Sequence, residues 1–315
     1  MGATPSGIGA GARFFRVFRR NRSLLLLAVP GLVVLFLNQY LPIFGVIIAF
    51  KDVNYRDGIF KSPWAGLKNF EFLFATSDTF VAARNTLLYN FAFIILGLVC
   101  SVAIAVALNE LFSKRLSGAF QSMIILPNFL SIIIVAYIVS TFLASQTGIL
   151  NRQLLPALAL PPVEWYMEPS YWPGILLLVQ LWKSAGAGSI IYLASICGID
   201  QEYYDAAVID GASRFQQIAR ITLPSLAPMM AILTILSLGN IFRSDFGLFY
   251  QVTMDSKLLY PATDVIDTYV YRSLLQLNDI GMASAASFVQ SAVGCALLVG
   301  VNLIIRRIDD SYSLF

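Results

Sequence analysis

Apolar residues in this chain gather into six long blocks, near 24–48, 86–108, 122–143, 172–196, 226–241 and 282–305. Crossing the hydrocarbon core of a bilayer takes about 20 residues of helix. A helix also satisfies its own backbone polar groups, which lipid cannot do. The pattern predicts an all-α membrane protein with six transmembrane helices, the fifth being the shortest. Pro30 and Pro42 fall in the first block, where neighbouring helices and waters tolerate a kink. Between blocks, 64–74 is an amphipathic piece carrying Trp64, Leu67, Phe70, Phe72, Leu73 and Phe74. In 263–277, Ile266, Val270, Leu274 and Leu277 recur at three- and four-residue steps, which predicts a short helix. Both pieces are expected to lie on the membrane surface or to pack on the spans. The sequence contains no internal repeat and no low-complexity linker.

Composition agrees with this pattern. The 315 residues are 58% hydrophobic and 12% charged, with a mean hydropathy of +0.74, against roughly 45–50% and about 25% in soluble domains. The length therefore makes one membrane bundle rather than two soluble domains. A net charge of +3 gives no footprint for nucleic acid. The absence of histidine removes the commonest metal ligand and general base, so neither a metal site nor catalytic residues are expected. Cys100, Cys197 and Cys295 are far apart and form no CxxC pair. They are expected to be free thiols buried as small apolar residues. The basic stretch 13–22 before Leu24 resembles a signal peptide, but the apolar run continues to about Phe50 without a small-residue cleavage site. An uncleaved first span is expected.

Lysine and arginine near span ends set orientation. Arg13, Arg16, Arg19, Arg20 and Arg22, then Lys114 and Arg115, Arg214 and Arg220, and Arg306 and Arg307 all fall on one side of a six-span chain. Lys51, Arg56, Lys61, Lys68, Arg84, Arg152, Lys257 and Arg272 fall on the other. The dense cluster beside the first span and the Arg306–Arg307 pair favour both termini inside. The expected organisation is a cytoplasmic tail 1–23, a six-span domain 24–308 and a cytoplasmic tail 309–315.

The fourth connection, 199–224, faces that inner side. Residues 201–209 are helix-forming, with Glu202 in the first turn, where the helix dipole favours an acid. Gly211 permits a sharp turn, and Ser213 is placed to cap a second helix. Ala206, Ala207 and Ala212 are small enough for another surface to approach. Pro224 marks the return into the membrane. The frame Asp205-Ala206-Ala207, three residues, Gly211, nine residues, Ile221-x-Leu223-Pro224 resembles the EAA loop of ABC importer permeases. One position departs from the family: its first residue is Glu, whereas Asp205 keeps the charge on a side chain one methylene shorter.

The resemblance implies a type I importer permease fold with a cytoplasmic coupling helix in a bacterial inner membrane. It assigns Glu202, Asp205, Ala206, Ala207, Asp210, Gly211, Ala212 and Ser213 to contact with an ATPase. It extends over most of the chain. Trp64-Ala-Gly-Leu-Lys-Asn69-Phe70 with Arg84-Asn85-Thr86 resembles carbohydrate permeases. Phe242-Arg-Ser-Asp-Phe-Gly-Leu-Phe-Tyr250, Asp267-Thr-Tyr-Val-Tyr-Arg272 and Gly281-Met-Ala-Ser-Ala285 resemble the branch named after LplB, associated with oligosaccharide and polysaccharide uptake. No GxxxxGK[S/T] loop is present, so the chain has no P-loop for ATP and binds no cofactor of its own. The family implies two ATPase subunits using ATP and Mg, a second homologous permease subunit and an external solute-binding protein.

Charges inside spans are costly, about 2.5–3.5 kcal/mol each on insertion scales, and point to function by default. Lys183, within the small-residue stretch Trp182-Lys-Ser-Ala-Gly-Ala-Gly-Ser189, is one candidate for substrate or gate contact. That stretch leaves room for a ligand or a backbone break. Arg243 and Asp245, at the outer end of the fifth block, are two more, with a structural Arg243–Asp245 pair as the alternative. Trp182, Tyr192, Phe246, Phe249 and Tyr250 offer flat faces for sugars. Two other classes remain open on the residues alone. A polytopic membrane enzyme requires acids, bases or metal ligands clustered at one interface. An ion-coupled secondary transporter is expected to show an internal repeat.

Overall fold

The computed structural model describes residues 22–54, 56–75, 77–111, 113–277 and 279–308. Arg13, Arg16, Arg19 and Arg20 and the tail 309–315 lie outside the described residues. Those described form helices and connections, with one isolated bridge between Lys51 and Trp64 and no strand. Helix α1 (Arg22–Leu35) continues through a π turn (Phe36–Tyr40) into a 3-10 segment (Leu41–Phe50). Pro30 lies inside α1, and Pro42 opens the 3-10 segment, where a missing N–H costs least. Then come α2 (Lys68–Ala75), α3 (Ser77–Asn109), α4 (Lys114–Ile125), α5 (Ile132–Leu143) and α6 (Trp172–Cys197). They are followed by α7 (Gln201–Ile209), α8 (Arg214–Gln217), α9 (Leu223–Gly239), α10 (Ile266–Leu277) and α11 (Ile280–Ile308).

Among the described residues, five helical segments are long and apolar enough to span a membrane: Leu25–Phe50, Ser77–Asn109, Pro169–Cys197, Arg214–Gly239 and Ile280–Arg307. The third expected span is not one straight helix. It is a pair, Lys114–Phe129 and Ile132–Leu143, bent by 96°, and counting the pair as one span gives six. The bend has a local cause. Pro127 opens a 3-10 turn (Leu126–Phe129), Leu130 and Ser131 are extended, and the Ser131 hydroxyl accepts from the Ile134 N–H to start a new helix. The fifth span is longer than its apolar block, because a π turn (Ile218–Thr222) joins α8 to α9 without a break. Pro224 sits in the first turn of α9.

The second span also starts earlier than its apolar block. Its polar first turns are held by the segment leading into α10. Asn85 donates to the Asp264 carbonyl (2.9 Å), and the Ile266 N–H donates to the Thr86 hydroxyl (2.9 Å). Two apolar cores lie at opposite ends of the bundle. Tyr89, Trp172, Leu176, Leu248 and Phe249 belong to one; Val102, Ala105, Tyr192, Ile196 and Leu226 belong to the other. Helices α3 and α6 thus run in the same direction, and α9 runs against them.

Close approach depends on glycine. A Cβ on Gly186 would collide with the Ile124 carbonyl, and one on Gly188 would meet the Ser101 hydroxyl. Ser101 donates to the Ala185 carbonyl at 3.2 Å. The small-residue stretch in α6 therefore serves helix packing at Gly186, while Ser184 and Gly188 border a cavity between the helices, and α6 is unbroken there. The cysteines are free, as expected, but Cys197 and Cys295 are exposed and Cys100 is half-buried.

Candidate functional site: a rigid clip below a polar cavity

The connection between α6 and α9 is an exposed clip. The Asp200 carboxylate accepts from the Glu202 N–H (3.1 Å) and caps α7. The helix ends in a Schellman turn: the Gly211 N–H bonds to the Val208 carbonyl (3.0 Å) and the Ala212 N–H to the Ala207 carbonyl (2.8 Å). Gly211 has φ +76°, the left-handed conformation this turn demands. Ser213 and Gln216 form a reciprocal capping box on α8. Gln217 is buried and donates to the Ala212 carbonyl at 3.1 Å. The Tyr204 and Thr222 hydroxyls pair at 2.9 Å and tie α7 to the π turn before α9. Arg214 reaches Glu110, at the end of α3, at 3.6 Å.

This internal bonding leaves the outer surface free. Ile209 is 85% and Phe215 78% exposed. Glu202, Asp205, Ala206, Asp210, Gly211 and Ser213 are exposed too, with Ala207 and Ala212 half-buried. A shallow depression of about 320 Å³ runs past Ala207, Asp210, Gly211 and Ala212. Exposed apolar side chains flanked by acids thus stand on a backbone braced by its own hydrogen bonds.

A cavity of about 510 Å³ opens between α3, α6 and α9. Asn90 and Ser101 line it from α3, and Gln180, Ser184 and Tyr192 from α6. Thr234, Ser237, Asn240 and Arg243 line it from α9 and just beyond. Asn90 and Ser101 lie eleven residues apart on α3, so the cavity runs about 16 Å along the helix. That is roughly half the thickness of the hydrocarbon core.

Of the residues singled out from sequence, Tyr192 and Arg243 line this cavity, as do Ser184 and Gly188 of the small-residue stretch; Trp182, Lys183, Asp245, Phe246, Phe249 and Tyr250 do not. Lys183 donates to the Asn128 carbonyl (3.2 Å) beside the bend. Trp182 faces an apolar groove of about 630 Å³ between α5 and α6. Asp245 caps the turn that follows it, accepting from the Leu248 N–H (3.1 Å). Phe246 and Tyr250 stack at 4.9 Å and both meet the edge of Tyr271. Phe249 is core, packed on Tyr89 at 4.9 Å. No Arg243–Asp245 pair forms: Arg243 donates to the Ser291 hydroxyl at 3.1 Å instead. The cavity's amides were missed from sequence, although Asn90 and Gln180 stand inside apolar blocks, where a polar side chain needs a partner.

The sequence matches the model of a family described as "binding-protein-dependent transport system inner membrane component" over residues 97–310. Protein LplB of Bacillus subtilis (strain 168) is 32% identical over 302 residues, 96% of this chain and 94% of that protein. The polygalacturonan/rhamnogalacturonan transport system permease protein YteP of the same organism is 29% identical, covering 92% of this chain and 90% of that protein. A crystal structure of a bacterial ABC transporter involved in the import of the acidic polysaccharide alginate contains a chain with TM-score 0.85 and 33% identity. That match covers 94% of this chain and 99% of the other. A related structure, in complex with alginate pentasaccharide-bound periplasmic protein, gives TM-score 0.84 and 32% identity. The chain therefore belongs to the family of binding-protein-dependent transport system inner membrane components, the non-enzymatic permease subunits of ABC importers.

Proposed function

We propose that this permease carries an oligosaccharide or a polysaccharide-derived sugar across a bacterial inner membrane, with both termini and residues 199–224 in the cytoplasm. An external solute-binding protein delivers the sugar, and a second, homologous permease subunit completes the path. Two ATPase subunits bind ATP and Mg. The face formed by Glu202, Asp205, Ala206, Ala207, Asp210, Gly211, Ala212 and Ser213 seats in one of them.

One observation carries this reading. The two helices that leave the clip, α6 and α9, are two of the three that bound the polar cavity. Closure of the ATPase pair on ATP moves the clip as one piece, since its capping box, Schellman turn and Tyr204–Thr222 bond oppose deformation. Helices α6 and α9 then tilt about their packing on α3, and access to the cavity reverses. The amide and hydroxyl lining suits sugar hydroxyls, and Phe93 offers an apolar face among them. The saccharide and polysaccharide transporters among the relatives support the same substrate class.

The test is uptake of labelled oligosaccharide into proteoliposomes holding the purified permease pair and ATPases, with binding protein outside and ATP within. Uptake is expected to require ATP and to be abolished by Gly211→Pro while the variant still inserts. Uptake by this chain alone, without an ATPase, would overturn the reading.

A further inference from the structure

The cavity wall carries one charged side chain, Arg243, and no carboxylate. Two carboxylates stand near it in sequence or space; Asp267 feels its positive charge at longer range, and neither forms a direct pair with it. Asp245 accepts from the Leu248 N–H. Asp267 accepts from the Ser244 N–H at 2.8 Å and from Gln290 at 3.3 Å. Among the described residues, no carboxylate lies within ion-pair distance of Arg243. Its guanidinium has five N–H donors, and one hydrogen bond, to Ser291, engages it at Nη2.

Its backbone is fixed by another residue of the cavity wall. The Asn90 side-chain amide donates to the carbonyls of Ile241 (2.8 Å) and Arg243 (3.1 Å). The guanidinium is thus an exposed cation, held without a direct ion pair at one end of a cavity otherwise lined by neutral groups. The arrangement suits an anion that arrives with the cargo.

We infer that Arg243 is a specificity-determining residue that pairs with the carboxylate of an acidic sugar, so that the cavity prefers uronate-containing oligosaccharides over neutral ones. This rests on the reading of the chain as a saccharide permease. A planar guanidinium matches a carboxylate through two parallel N–H···O bonds, which a lysine ammonium does not reproduce. A single cation suits the single charge of a uronate. Asn90 and Gln180 remain for its hydroxyls.

The experiment is equilibrium dialysis on the complete nucleotide-free transporter in nanodiscs, without the binding protein. The probes are a labelled tetrauronate and the same tetrasaccharide with its carboxyl groups reduced to alcohols. Wild type is expected to bind the tetrauronate at least tenfold more tightly, a difference of about 1.4 kcal/mol. Arg243→Gln is expected to lose that preference while binding the reduced sugar within twofold of wild type. Arg243→Lys is expected to keep part of it. Equal binding of both sugars by wild type overturns the inference and leaves the permease reading standing. Equal weakening of both by Arg243→Gln also overturns it and makes Arg243 structural, for example through a carboxylate of the second permease. Binding of neither sugar by wild type removes the saccharide reading itself.

Discussion

The Ala212 N–H donates to the Ala207 carbonyl at 2.8 Å, closing the turn at the exposed tip of the clip. Only a residue in the left-handed region can stand between Asp210 and Ala212 in this geometry, and Gly211, at φ +76°, fills that position. A Cβ there meets nothing within 4 Å, so backbone conformation alone is at stake.

A graded series at Gly211 follows. Ala pays about 1–2 kcal/mol for the left-handed conformation, Asn tolerates it better, and Pro both fixes φ near −65° and removes the N–H that bonds Val208. Sugar-stimulated ATP hydrolysis by the assembled transporter is expected to fall in the order Gly, Asn, Ala, Pro, with membrane insertion unchanged. Equal activity for Ala and Pro would mean that the turn does not transmit force.

The helical architecture and the clip were legible because both are local. Apolar blocks, an acid in a first helical turn, a turn glycine and a capping serine are each read within a few residues of sequence. The cavity was not legible. Its wall is assembled from α3, α6 and α9, and only packing shows that Tyr192 and Arg243 share it while Lys183 and Asp245 do not. The bend in the third span was missed for a related reason. Its block is apolar on average, while Pro127 and the Ser131 cap act on backbone direction, which average hydropathy does not register.

Outside the spans, Arg272 joins Asp255 (3.0 Å) and Asp264, and covers the Tyr260 ring at 4.0 Å. Burial pushes the Asp264 carboxyl above its ordinary 3.8, although Arg272 and the Thr268 hydroxyl oppose the shift and Asp255 adds to it. A raised carboxyl pKa means that the folded state holds the proton more tightly than the unfolded one. The contribution of Asp264 to stability is therefore complete below about 3.8 and is lost as pH rises through the raised folded value. Unfolding temperatures measured in nanodiscs between pH 7 and 4 are expected to show a smaller rise on acidification in Asp264→Asn than in wild type. The part due to Asp267, whose carboxyl is also raised by burial, remains in that variant. Arg272→Gln leaves Asp264 buried without its cation and is expected to destabilise by about 3–5 kcal/mol at neutral pH.

Two glycines of α6 provide an internal control for helix packing. Gly186 faces the Ile124 carbonyl with no room for a Cβ, whereas Gly174 has open space. Gly174→Ala is expected to be neutral or to stabilise by up to about 1 kcal/mol through helix propensity. Gly186→Ala must push α4 away from α6, and overpacking of this kind costs about 1–3 kcal/mol. Thermal unfolding followed by tryptophan fluorescence separates the two. Equal shifts would mean that α4 and α6 do not approach as closely as described.

Lys183 was a candidate for cargo contact, and its position gives it another task. The helix breaks at Leu130–Ser131, so the Asn128 carbonyl lacks the partner four residues on that an unbroken helix would supply. The Lys183 ammonium donates to it at 3.2 Å and holds α6 against the bend. Lys183→Gln keeps a donor and is expected to retain most of the stability. Lys183→Met removes the donor and is expected to cost about 1 kcal/mol, the usual net value of a hydrogen bond, in this partly exposed setting. Both variants are expected to bind oligosaccharide within twofold of wild type, because the side chain does not reach the cavity wall. A tenfold loss of sugar affinity in Lys183→Gln, with an unchanged unfolding temperature, would instead put this lysine on the transport path.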